Sequence, residues 1–144
     1  MTEKPRLDDF TKRYLVGLLV IAVLGFAWWF SGWDRRIGQL NAILEADEEL
    51  SAYPYQFKVL SLEDGVAEIS SPRSAEVPVI KFLRIVFPQL RDSSVTDESV
   101  MAAQDELVTV QSRAGKLVSD EEDVKSIRWS LDRQWYESQG MYLD

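Results

Sequence analysis

Between Tyr14 and Trp33 the chain reads YLVGLLVIAVLGFAWWFSGW, twenty residues without a formal charge. At about 1.5 Å of rise per helical residue, such a run matches a bilayer hydrocarbon core of roughly 30 Å. Ten of its residues are Leu, Ile, Val or Phe. Each contributes about −0.3 to −0.6 kcal/mol at mid-membrane, so together they supply on the order of −3 to −6 kcal/mol. Tyr14 at one end and Trp28, Trp29 and Trp33 at the other place amphipathic rings where the headgroup regions should lie. A cleaved signal peptide is the competing account, because bases precede the run and Gly25-Phe26-Ala27 offers a small-x-small site. A mature chain beginning Trp28-Trp29-Phe30 would expose three bulky aromatics, so an uncleaved anchor is expected. Gly17 and Gly25 are eight apart and form no small-xxx-small pair, which gives the helix no dimerisation motif.

The expected organisation is therefore a tail (1–13), a transmembrane helix (14–33) and a soluble domain (34–144). Four bases precede the helix, Lys4, Arg6, Lys12 and Arg13, while only Arg35 and Arg36 closely follow it. The positive-inside rule then predicts a cytoplasmic N-terminus and a domain on the far side, periplasmic if the membrane is a bacterial inner membrane. Residues 34–144 hold 21 acids and 12 bases, a net charge of −9. That balance opposes binding to a phosphate backbone, since nucleic-acid affinity comes from Lys and Arg releasing counterions. The chain has neither Cys nor His. Disulfides and thiolate metal sites are excluded, as is the imidazole on which many hydrolase and zinc mechanisms depend.

Within the domain, Ile37, Leu40, Ile43, Leu44 and Leu50 continue a helical stripe, which Ser51 to Tyr55 end through Pro54. The Tyr53-Pro54-Tyr55 element is expected to pack at a helix-to-strand hinge. Phe57–Leu62 and Val66–Ser70 flank Glu63-Asp64-Gly65, and Asp-Gly supplies the positive φ angles of a tight hairpin. Val79, Phe82, Leu83 and Val86 have helical spacing up to Pro88, with Lys81 and Arg84 off the stripe. Val100, Ala103, Leu107, Val110, Ala114 and Leu117 predict a helix over 96–114, closed by Gly115. This stripe is too short for a sustained coiled coil and is expected to face the domain's own core. Residues 124–135 admit a helix through Val124, Ile127, Leu131 and Trp135, with Ser119 and Glu122 at capping-box spacing. The alternation of Ile127-Arg128-Trp129-Ser130-Leu131-Asp132 favours a strand, which also accounts for Trp129. A short helix over 133–138 should end the domain.

These elements predict an α+β domain in which helices cover one face of a small antiparallel sheet, a hairpin extended to three strands. In element order the domain resembles the BON-type modules of bacterial envelope proteins: helix, hairpin turning on Asp64-Gly65, further helix, last strand. The extra helical segment departs from that pattern, and no binding residue is carried across.

Chemical constellations are few. Asp120-Glu121-Glu122-Asp123 offers oxygen ligands but lacks the spaced calcium-loop pattern, and acidic runs are ordinarily solvated. Glu63, Asp64 and Glu68 could pair for acid and base work, yet hairpin charges usually serve solubility. Ser70, Ser71 and Ser74 beside Arg73 have no base or nucleophile-elbow glycines nearby and read as a helix entry. The glycines never cluster as a phosphate cradle requires. No catalytic, metal or cofactor residue is assigned, and no cofactor is expected. The chain is expected to be a single-pass, non-catalytic interaction or accessory module acting on another membrane or envelope protein. Trp135, Tyr136 and Tyr142 are the candidate contact surface, because Trp and Tyr are enriched among interface anchors; the competing account is that these rings finish the domain core. Two alternatives stand beside this function: a carboxylate-based enzyme or small-ligand module, and a membrane-surface binder using Lys81 and Arg84.

Overall fold

A computed structural model describes residues 8–143, apart from the side chains of Trp33 and Asp34. Lys4 and Arg6 of the tail, and the Trp33 ring, therefore lie outside the described residues. The chain divides into two compact units, Met1–Arg36 and Ile37–Asp144.

The first unit is the leading part of helix α1 (Asp9–Ala46), which passes Ser31-Gly32 without a break. Its most apolar stretch has a mean hydropathy of 2.1 and is 0% buried among the described residues. Leu19, Ile21, Leu24, Phe26, Trp28 and Trp29 all stand exposed. Among the described residues this is one helix long and apolar enough to cross a membrane.

In the second unit the last turns of α1 bury Leu40 and Leu44. Asp47 interrupts the helix and caps the next one, α2 (Glu48–Ala52), its Oδ1 accepting from the Leu50 amide at 3.1 Å. That satisfies one of the amides a helix start leaves unpaired. Both rings of Tyr53-Pro54-Tyr55 are buried, as their place at the hinge led us to expect. The hairpin follows as β1 (Val59–Glu63) and β2 (Val66–Ser71). Its turn residues Asp64 and Gly65 have φ of 50° and 80°. A Cβ on Gly65 would sit 2.8 Å from Lys125 side-chain carbons, so both backbone and packing call for glycine. Leu60 forms a bulge between Val59, opposite Ile69, and Ser61, opposite Glu68. At this outer edge the Asn41 side chain meets Val59 twice: Oδ1 accepts from its amide at 2.7 Å, and Nδ2 donates to its carbonyl at 3.1 Å.

After β2 the chain forms α3 (Val79–Val86), a 3-10 turn (Pro88–Leu90) and α4 (Glu98–Ser119), then enters β3 (Ser126–Leu131) and α5 (Arg133–Ser138). The domain is α+β, but its three-stranded sheet, in the order β1-β2-β3, is mixed rather than antiparallel. β3 runs parallel to β2, with Val66 opposite Ser126 and Ser71 opposite Leu131. The cause is the connection: the chain leaves β2 at Ser71 and returns at the hairpin end, where the Gly65 carbonyl accepts from the amides of Lys125 (2.7 Å) and Ser126 (3.2 Å). A strand starting beside the first residue of β2 runs the same way.

Helix α4 buries Val100, Ala103, Leu107, Val110 and Ala114 of the expected stripe, but at its end the buried residue is Val118, while Leu117 is only half-buried. It does not stop at Gly115 but continues to Ser119. Gly115 is there for a neighbour, since a Cβ at this position would lie 3.1 Å from Cζ2 of Trp129 on β3. The glycine marks a close crossing of helix and strand, not a helix end.

Candidate interaction surface

The C-terminal aromatics separate on folding. Asp132 caps α5, its Oδ1 accepting from the Trp135 amide at 3.0 Å. This start directs Tyr136 inward, where its ring is 0% exposed and its hydroxyl donates to the Pro72 carbonyl. Tyr136, expected on a contact surface, is thus a core residue. Trp135 is half-buried against Tyr55, Phe82 and Tyr136, with ring centroids 5.7, 5.4 and 4.9 Å away. Only Tyr142 of the three stays open, at 80% exposure. The core alternative describes Tyr136 and most of Trp135, because α5 folds back over the aromatic cluster built by Tyr53, Tyr55, Phe57 and Phe82.

Other polar candidates are engaged in the fold. Tyr55 donates to Asp132 Oδ2 at 2.9 Å, and burial, with the nearby Asp132 carboxylate, pushes its hydroxyl well above the usual phenol range. Tyr53 and Tyr136 are raised in the same way, mainly by burial. These phenols stay protonated. Ser70 Oγ accepts from the Lys58 amide at 2.9 Å, Ser71 Oγ from the Arg73 amide at 3.3 Å, and Ser74 Oγ from the amides of Glu76 and Val77 at 3.1 and 3.2 Å. Arg73 itself donates to Gln111 Oε1 at 3.1 Å. Ser70 ties β2 to the residue before β1, and Ser71 and Ser74 brace turns ahead of α3.

Of the hairpin carboxylates, Glu68 receives Arg128 at 2.6 Å and Ser61 at 3.3 Å. The Arg128 hydrogen bond, the largest influence, holds its carboxyl below the ordinary range. Asp120 pairs with Lys116 at 3.1 Å. No group of three or more carboxylates placed to hold a cation occurs among the described residues. Asp47 receives a two-pronged contact from Arg113 Nε, 2.8 Å to each oxygen, and this hydrogen bonding lowers its pKa. A carboxyl depressed in the folded state contributes stability above its unfolded pKa near 4, and that contribution is lost as pH falls through the folded value. The domain's melting midpoint should therefore drop between about pH 5 and about pH 3. In the double variant Asp47→Asn, Glu68→Gln the drop should be shallower, read by circular dichroism; equal slopes would refute the assignment.

A concave feature of the domain lies elsewhere. A groove of about 680 Å³ is lined by Pro78, Ile80, Lys81, Arg84 and Ile85 of the α3 region, by Arg91 after the 3-10 turn, and by Gln139 and Met141. Lys81 and Arg84 stand three residues apart, hence on one side of α3. Lys81 and Arg91 are exposed. Arg84 is half-buried and held by Nη2 donating to the Ser93 carbonyl at 3.2 Å, while its buried Nε has no partner among the described residues. The lining contains no acid. In the sequence Lys81 and Arg84 appear as off-stripe bases and as the pair a membrane-surface binder would use. Arg91 and Met141 join them through tertiary folding, and no local pattern announces the groove.

Comparison with known proteins places no family beside this geometry: no family model matches the chain, and no curated protein or solved structure matches it. The resemblance to BON-type modules rests on element order and the Asp64-Gly65 turn.

Proposed function

We propose that the chain is a membrane-anchored, non-catalytic interaction module whose C-terminal domain engages another membrane or envelope protein. One observation carries the proposal: an uncovered, charge-free helical stretch belongs to the same chain as a domain with its own buried core. Such a stretch has lipid as its favourable solvent, and anchoring confines the domain to the neighbourhood of other membrane proteins. The excess of bases before the stretch supports a cytoplasmic N-terminus and a domain on the far side. The groove beside α3 supplies a concave surface for contact.

The test is extraction of the tagged full chain from its native membranes in mild detergent, followed by mass determination. A complex heavier than the monomer in its micelle, containing a second protein in fixed ratio, is expected. Recovery of the chain alone would overturn the proposal.

A further inference from the structure

We propose that the groove of Lys81, Arg84 and Arg91 seats an acidic segment of a partner protein, one in which carboxylates alternate with aliphatic side chains. This rests on the interaction-module reading above and names the chemistry of its partner. The case begins with charge. Residues 34–144 carry 21 acids against 12 bases. Several of those bases are paired: Arg113 with Asp47, Lys116 with Asp120, Arg128 with Glu68 and Arg133 with Glu76. Lys81, Arg84 and Arg91 make no ion pair among the described residues, despite the surplus of carboxylates around the domain. Three cations facing one groove repel one another, and a counter-charge from outside relieves that repulsion. Clefts of one sign also focus potential and draw in ligands of the opposite sign.

The apolar lining narrows the occupant further. Pro78, Ile80, Ile85 and Met141 share the groove with the cations. An inorganic anion would satisfy the charge and leave these side chains wet, whereas a mixed segment buries them too. Lys81 and Arg84 stand about one helical turn apart on α3, and Arg91 follows the 3-10 turn, so three separate backbone positions supply the cations. A segment carrying several carboxylates can offer each of them a counter-charge, where a single lipid phosphate offers one group. The volume, about 680 Å³, is in the range that encloses a few side chains.

The test uses the full chain in nanodiscs of zwitterionic lipid and a fluorescent peptide, Glu-Leu-Asp-Leu-Glu-Leu-Asp, followed by anisotropy. The peptide is expected to bind, with affinity falling as salt rises. Replacing its acids by Gln and Asn should weaken binding by about tenfold or more, as should Lys81→Glu with Arg91→Glu in the protein. Both positions are exposed, so an unchanged melting curve should show that the variant still folds. Equal binding of the acidic and neutral peptides, or by the variant, would overturn the proposal. So would groove-dependent capture of phosphatidylglycerol vesicles without peptide binding, which would assign the site to lipid. So would concentration-dependent self-association lost in the variant, which would assign it to a second copy. If the native complex survives in the variant while the peptide fails to bind, the groove assignment falls and the module reading stands. If the chain extracts alone, the module reading falls whatever the peptide does.

Discussion

Replacing Phe82 by Ala should remove about 3–5 kcal/mol from the stability of the C-terminal domain, the range found for deleting a buried aromatic ring. Phe82 is fully buried, and its ring lies 5.8 Å from Tyr55, 6.4 Å from Tyr53 and 5.4 Å from Trp135. It is therefore the point at which α3, the hinge after α2 and α5 meet. Small domains hold only about 5–15 kcal/mol in total, so the variant should keep little margin at physiological temperature. Urea unfolding of the full chain in detergent, followed by far-ultraviolet circular dichroism, gives the measurement. Val108, about half exposed on α4, is the control, since Val108→Ala should change stability by no more than about 0.5 kcal/mol. A Phe82→Ala loss no larger than the control's would show that the aromatic cluster is not the core of this domain.

The second large effect concerns the first unit. Ile21→Arg with Leu24→Arg places two charges near the middle of the uncharged run. Each costs about 2.5–3.5 kcal/mol at the helix centre, so the pair costs on the order of 5–7 kcal/mol. With Ile21 and Leu24 gone, the remaining eight aliphatic and Phe residues of the run supply only roughly −2 to −5 kcal/mol, which that cost matches or exceeds. The unaltered chain should stay in the membrane pellet through an alkaline carbonate wash, and the double variant should appear in the supernatant. Release of the unaltered chain, or retention of the variant, would remove the bilayer from the account of this helix.

Local chemistry made some elements legible and distant contacts hid others. The hairpin could be read from Asp64-Gly65 because positive φ is a property of two residues, and the structure puts both there. The strand at 126–131 was visible in the alternation around Trp129, but its direction was not. Direction depends on where α4 delivers the chain, and the Gly65 carbonyl that receives Lys125 lies sixty residues earlier. Gly115 misled for a similar reason: glycine after a helical stripe usually marks an end, whereas here it admits the Trp129 ring. For Tyr136 the sequence leaves contact surface and core both open, and the Asp132 cap decides for the core. The groove was legible only in part: Lys81 and Arg84 stand together in the sequence, but Arg91 and Met141 join them only through tertiary folding.

Asn41 has a bearing on how molecules of this kind behave at high local concentration. A carboxamide offers one acceptor and one donor side by side, as a peptide unit does, and at Val59 it occupies the outward-facing pair that a neighbouring chain would need. A visiting strand must evict that amide and straighten the kink at Leu60 before the first rung of a ladder can form. Open sheet edges invite cross-molecular stacking. Crowding should accordingly leave this side of the sheet inert, and any templated polymerisation would have to begin along β3.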